Sequence, residues 1–393
     1  MNNYDWIVVG AGITGAAIAY ELAKTGFSTL LLEQQQTSEN ATRYSYGGLA
    51  YWSGTTPLTQ QLCEEAISRY QNFDFELEAE TEFRELDLLL TIAADEDPQT
   101  TASLYSHAAI PPRLLNINEA CELEPLLNPR AISGALTVKH GHINPAKTTH
   151  GYIQAFLRAG GTMEIAQVLN LQTTSSSHKG MKLTGVQTTI NTYHTANVVI
   201  CAGGFSRQLL KLAGINIKLY FTHAEVIETS PVELNLRTLV MPASLQRFHL
   251  EAESTKIDEL WQYSDTEPVP PILDVGAIQF QDGSLRLGQI SRVLTNPNAK
   301  VNPEKSQKWL RTNIQQILPK LAHLPGTLHH CLVAFSSDRL PLIGLIPGCE
   351  GVYIFSGFSN PLVMIPPLAR RFADFVAGKE DEIIPQLSPR RYE

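Results

Sequence analysis

Cysteine is scarce in this chain of 393 residues: there are five, Cys63, Cys121, Cys201, Cys331 and Cys349, and no CxxC pair. An odd, scattered set excludes a disulfide framework and a cysteine-based zinc cluster, and makes a reducing compartment, the cytoplasm, the default expectation. A basic surplus is also missing. Lys and Arg total 30 against 39 Asp and Glu, a formal charge of −9, whereas a nucleic-acid binder shows a basic stripe. With 18% charged and 43% hydrophobic residues, the composition is that of a folded protein without long disorder. Long apolar runs are absent too. The stretch Trp6 to Leu22 is interrupted by Glu21 and then Lys24 before it could span a bilayer. Asp5 precedes it and no Lys or Arg does, so it lacks the basic start of a secretory signal. No integral membrane segment, tandem repeat, low-complexity tract, GxSxG, HExxH or metal-ligand cluster is present.

What the N-terminal stretch does contain is a glycine pattern. Tyr4 to Val9 reads as a short buried strand. Gly10-Ala11-Gly12-Ile13-Thr14-Gly15 follows, then a helical stretch from Ala16 to Thr25 ended by Gly26. Ser28 to Leu32 is a second apolar strand, closed by Glu33, with Gln34 next to it. In this order the residues have distinct tasks. Gly10 permits a tight turn, Gly12 lets the backbone approach a pyrophosphate, and Gly15 lets helix and strand pack closely. The amides at the helix start, including Ile13 and Thr14, face phosphate charge. Glu33, 18 residues past Gly15, can accept from ribose hydroxyls, which favours FAD or NAD over NADP.

Later segments resemble the FAD-dependent D-amino-acid oxidase superfamily, which includes glycine oxidase, sarcosine oxidase and D-amino-acid dehydrogenases. Ala41 to Gly48, with Thr42, Arg43, Ser45, Gly47 and Gly48, is similar to the family's loop over the flavin. Gly141-His142-Ile143-Asn144-Pro145 resembles a Gly-x-(Ile/Val)-(Asp/Asn)-Pro motif before a helix, here about Ala146 to Ala159. Met163 to Leu171 looks like the strand whose Val168 backbone meets adenine in relatives. Asn197 to Cys201 reads as a buried strand, and Ala202-Gly203-Gly204-Phe205-Ser206 is similar to the turn beside the dinucleotide. Asp338 to Gly344 resembles the Asp-x-x-Pro-x-Ile-Gly turn. Gly357-Phe358-Ser359-Asn360 leads into a last helix whose N-terminus lies under the flavin in relatives.

The resemblance implies an α/β protein: a Rossmann-type FAD-binding domain, residues 1–80, 141–219 and 325–393, with an interleaved mixed-sheet substrate domain, residues 81–140 and 220–324. In the second part, Phe221 to Thr229 and Ala277 to Phe280 alternate as strands, Asp282-Gly283 is a hairpin signal before a strand from Leu285 to Ile290, and Pro303 to Ile317 reads as an amphipathic helix. Thr173 to Ser177 with His178 to Gly180 reads as a hairpin-like loop.

The implied activity is oxidation of a C–N bond in an amino acid or related amine, a small molecule, with the imine then hydrolysed. The alternatives are a 2-hydroxy-acid dehydrogenase of the same architecture and a flavin-binding subunit with little turnover. An NAD enzyme would not carry the Ala202 to Ser206 turn or the flavin helix. The usual carboxylate anchors are replaced: Val333 stands where primary-amino-acid oxidases of the superfamily have Arg, and Met364 where sarcosine-oxidase-like members have Lys. Arg43 is a candidate substitute, with a flavin-phosphate or structural contact as its other reading. His223, beside Tyr220 and Glu225, is a candidate proton acceptor facing the flavin, or else a core histidine. Cys331, seven residues before Asp338, stands where monomeric sarcosine oxidase attaches flavin covalently, or is simply a small buried residue. Oligomeric state is left unassigned.

Overall fold

Six short strands lie side by side in the order Leu342–Leu345, Val352–Ser356, Val198–Ile200, Trp6–Val9, Thr29–Glu33 and Thr162–Ile165. The computed structural model describes residues 3–37, 39–175 and 180–393. All pairings in this sheet are parallel except that of Leu342–Leu345 with Val352–Ser356. Trp6–Val9 and Thr29–Glu33 are buried along their whole length, because both faces of the sheet are covered. On one face pack the helices Ile13–Lys24, Pro145–Arg158, Pro57–Tyr70 and Pro361–Val376. On the other lies a five-stranded sheet built around Val168–Ser175, Met181–Thr188 and Thr192–Thr195, whose Leu171, Leu183 and Val186 meet Ile7, Val9, Leu30 and Leu32.

A nine-stranded mixed sheet forms the rest. Its main path runs Thr327–Phe335, Tyr220–Glu228, Leu285–Arg292, Ile272–Gln279, Leu239–Pro242, Arg84–Ala93, Ile132–His142 and Gly48–Leu49, with Arg113–Leu115 added beside Ile132–His142. The helix Pro303–Ile317, with the bounds expected from sequence, buries Leu310 and Ile314 against this sheet. Among the described residues, no helix is long and apolar enough to cross a membrane.

Several elements depart from the sequence reading. Tyr4 to Val9 is two strands. The chain turns at Asp5, whose carboxylate accepts from the backbone and hydroxyl of Ser28 at 2.8 Å each, so Asn3–Tyr4 joins the five-stranded sheet and Trp6–Val9 the six-stranded one. Met163 to Leu171 likewise splits into Thr162–Ile165 and Val168–Ser175, in different sheets. The first helix begins at Ile13 rather than Ala16, which puts Gly15 in its first turn. Thr327–Phe335, placed by sequence among the dinucleotide-binding segments, pairs with Tyr220–Glu228 in the nine-stranded sheet, so the sheet boundary falls after Phe335 rather than before residue 325. Of the loop around Thr173 to Gly180, residues 176–179 lie outside the described residues, and its flanking strands pair antiparallel.

Three helices are pinned by Arg69. Its guanidinium bonds Glu21 of the first helix, Glu76 at 2.6 Å and the carbonyl of Pro366 at 2.7 Å. Pro366 lacks an N–H, so the helix cannot satisfy the Leu362 carbonyl, and Tyr70 does so instead with its hydroxyl at 2.5 Å. Burial alone would raise Glu76, but the hydrogen bond and charge of Arg69, with Lys24, pull it down to about 2. Its stabilising share is present above the ordinary 4.5 and is lost as pH falls toward 2. Arg69→Met leaves Glu21, only 3% exposed, without its partner and is expected to cost roughly 3–5 kcal/mol. Adding Glu21→Gln should recover part of this. Melting midpoints of the three proteins from pH 7 down to pH 3 check both points, and equal midpoints for wild type and R69M would refute the pinning role.

Candidate active site

The carboxyl ends of the parallel strands open onto one cavity of about 1840 Å³, walled on its far side by the nine-stranded sheet. That position is where doubly wound sheets bind ligands. The volume exceeds the roughly 300–1,000 Å³ of an ordinary small-molecule pocket, leaving room for a dinucleotide and a substrate together.

The glycine turn forms one end. Gly10, Gly12, Ile13 and Thr14 line the cavity. A Cβ on Gly15 would sit 1.7 Å from the Gly10 carbonyl oxygen, so Gly15 serves helix–strand contact and does not itself line the cavity. The helix start carries no side-chain cap. The Ile13 N–H donates to Thr42 Oγ1 at 3.1 Å, while the amides of Gly12 and Thr14 have no protein acceptor among the described residues. Uncapped amides at a cavity wall suit phosphate oxygens. Glu33 and Gln34 follow at the next strand end, with Glu33 held by the Ala11 N–H at 2.7 Å. Ser45, Gly48, Val168, Ala202, Gly203, Cys331, Gly357, Phe358, Ser359 and Asn360 also line the cavity. A second uncapped helix start, Asn360 to Leu362, meets it there. This donor set fits FAD.

Other expected site residues lie elsewhere. Gly47 makes a turn with φ +75° against the Ile143 carbonyl, and Gly344 lies in the Leu342–Leu345 strand facing Pro389. Arg43 is outside the cavity lining. It forks onto Glu228 at 2.7 and 3.1 Å, in a cluster with Arg286 and His329, which corrects its candidacy as carboxylate anchor. Tyr220 donates to Asp258 at 2.8 Å and packs on Trp261 and Phe335, also away from the cavity. His223 does not face it either. Strand alternation sends Ala224 and Val226 to the cavity and His223 to the opposite face, fully buried. Its Nε2 meets the Leu294 carbonyl at 3.2 Å and its Nδ1 meets His330 Nε2 at 2.7 Å. A carbonyl only accepts, so His223 Nε2 carries the proton and Nδ1 accepts from His330. Burial, then the His330 charge, push His223 down to about 4, which keeps it neutral.

Sequence reasoning missed several polar groups that line the cavity, among them Tyr46, His140, Ser244, Arg247 and Asp274. Trp52 Nε1 donates to His140 Nδ1 at 3.0 Å, which fixes the tautomer, and burial holds this imidazole near 3. The Tyr46 hydroxyl, His140 Nε2, Ser244 Oγ and Asp274 Oδ1 are buried without partners among the described residues. Unpaired buried polar atoms are costly, so four on one cavity wall mark a place for a ligand. Asp274 was legible in part as an acid among Ile272, Leu273 and Val275. The strand expected from Ala277 begins instead at Ile272, and its register slips between Leu273 and Gly276. Such a bulge re-aims side chains, which is why alternation did not reveal this one. Arg247, on the helix Gln246–Ser254, carried no signal beyond being basic.

The model of the family described as FAD dependent oxidoreductase (DAO) matches residues 5–375. The chain belongs to the DAO family. Two curated glycine oxidases are similar to it: that of Pseudomonas aeruginosa, 24% identical over 96% of both chains, and that of Geobacillus kaustophilus, 26% identical over 96% of this chain and 94% of the relative. The crystal structure of the Geobacillus kaustophilus glycine oxidase superposes with a TM-score of 0.76 at 21% identity, covering 99% of this chain and 98% of that one. The FAD-bound L-α-glycerophosphate oxidase of Mycoplasma pneumoniae shares the fold with a TM-score of 0.75 at 16% identity, covering 96% of each chain. This DAO-family member is thus an FAD-dependent oxidoreductase.

Burial pushes Asp274 from its ordinary 3.8 up to about 6, against the pull of Arg247. Its contribution to stability is therefore present below 3.8 and lost as pH rises through about 6. Asp274→Asn should raise the melting midpoint at pH 8, by up to ~3 kcal/mol in stability, and the gain should shrink toward pH 4.5. A variant no more stable than wild type at pH 8 would count against the buried charge. Glu33→Ala should lower the flavin-to-protein absorbance ratio after gel filtration, and an unchanged ratio would remove Glu33 from the cofactor site.

Proposed function

We propose that this protein oxidises a C–N bond of an amino acid or related amine. One observation carries the reading: the glycine oxidases that match it do so along nearly the whole chain. Bound FAD supplies the two-electron acceptor for a hydride from the carbon bearing nitrogen. The resulting imine hydrolyses in water, so the chain needs no nucleophile of its own. Its residues bind, orient and shield. The uncapped helix start at Asn360 to Leu362 supplies a positive field suited to a cofactor that gains negative charge on reduction. Apolar Leu88, Leu90, Leu239, Met241 and Met364 also line the cavity, and such surfaces disfavour water. The five free cysteines support a reducing compartment such as the cytoplasm.

Attachment of the flavin is proposed to be non-covalent. Cys331 lines the cavity, but burial pushes its thiol up to about 12, against the pull of Arg247 and Arg286, and a protonated thiol is a poor nucleophile. Acid precipitation should leave the yellow colour in the supernatant; colour in the pellet that disappears in Cys331→Ala would reverse this.

The activity itself is checked by anaerobic mixing of the yellow protein with glycine, sarcosine, D-alanine, L-proline and matched 2-hydroxy acids. The visible flavin bands should bleach with at least one amine and with none of the hydroxy acids. Bleaching by a hydroxy acid alone would transfer the assignment to C–OH oxidation.

A further inference from the structure

Two groups on the cavity wall keep hydrogen-bonding capacity open: the Nη groups of Arg247, whose Nε is paired with Glu251, and the carboxyl of Asp274. Arg247 sits in the first turn of the Gln246–Ser254 helix, which packs against the Ile272–Gln279 strand that carries Asp274. Glu251, one turn on, takes the Arg247 Nε at 2.9 Å and is itself held by Thr222 at 3.3 Å. The two Nη groups have no partner among the described residues, so the fork that grips carboxylates bidentately stays open. Asp274 is only 7% exposed and makes no hydrogen bond among the described residues, with Oδ1 fully buried. Both groups line the same cavity, on a helix and a strand that pack together, yet they form no ion pair among the described residues. Opposite charges in one cavity normally close on each other. Here Arg247 Nε is taken by Glu251 instead, and Asp274 lies within the bulge between Leu273 and Gly276.

We propose that this pair reads a zwitterion: the substrate carboxylate docks on Arg247 and the amine nitrogen donates to Asp274. The inference rests on the amine-oxidation reading and names its substrate class, amino acids with a free carboxylate. It also supplies the anchor missing at Val333 and Met364. The nitrogen must be uncharged before its carbon gives up a hydride, and Asp274 is the acceptor for that proton. One N–H bond of the ammonium breaks, one O–H bond forms on the carboxylate, and no electrons change hands in this step. Arg247, Tyr46 and Tyr105 are among the ionisable groups that line the same cavity as Asp274.

The test uses flavin-loaded protein and two kinds of probe. The first is the best amino acid of the panel and its carboxamide, mixed anaerobically. Arg247→Met should raise Kd for the acid at least about tenfold and leave that of the amide within about twofold. Arg247→Lys should fall between. Asp274→Asn should lower the limiting rate of flavin reduction and remove the acidic limb of its pH profile. The second probe needs no turnover: the flavin spectrum is titrated with 2-aminoisobutyrate, which has no α-hydrogen, and with 2-hydroxyisobutyrate and tert-butylamine. The zwitterion should bind at least about tenfold more tightly than either single-charge probe, and both variants should lose that preference. Wild-type flavin that no amine bleaches overturns the amine reading; a zwitterion preference that survives in both variants, or is absent from wild type, overturns the charge-pair assignment. Should R247M shed its flavin, R247K decides, and affinity for the acid equal to wild type counts against the docking role.

Discussion

The contact between Gly15 and the Gly10 carbonyl is the constraint on which the rest of the structure depends. A single added methyl group there would overlap the oxygen, and neither backbone can give way without moving a buried strand or a buried helix. That closeness brings the amides at the helix start to the end of the Trp6–Val9 strand. It also sets the height at which the first helix meets the helices Pro145–Arg158 and Pro361–Val376. The opening of the cavity, the position of Glu33 beside Ala11 and the Arg69 junction all follow from one helix lying this near one sheet.

Around that rigid end, the substrate side is built from groups that folding alone does not favour. A buried carboxylate without a hydrogen bond, an imidazole with an unpaired ring nitrogen and a buried hydroxyl all weaken the fold. They are tolerated because the nine-stranded sheet and the helices around it supply enough apolar burial elsewhere. Stability and recognition are therefore in tension on the same wall, the usual condition of a site that waits for a polar ligand.

The dinucleotide end was readable in the sequence, and the substrate end was not. Gly10, Gly12 and Glu33 are brought together by one strand–turn–helix and the next strand, so their order along the chain already predicts that they share one end of the cavity. Arg247 and Asp274 acquire meaning only when a nine-residue helix packs on a bulged strand, a juxtaposition that no local pattern encodes. Arg43, Tyr220 and His223 show the converse. Each carries suitable chemistry, and each is satisfied by a neighbour far away in the chain: Glu228, Asp258 and His330. The two split strands were missed for a related reason: no glycine or proline marks the points near Asp5 and Ala166 where the chain changes sheet.

The Pro361–Val376 helix has a consequence for how the molecule comes into being. It packs directly on the first helix, and its leading residues close the cavity that the glycine turn opens. A ribosome must therefore deliver some 350 residues beyond the first helix before this last neighbour joins Pro145–Arg158 against it. Until then the parts of Ile13–Lys24 and Pro57–Tyr70 that face the last helix lack that cover. A chain cut short before the last helix would therefore lack one wall of the cavity and leave bare the apolar surface that this helix covers.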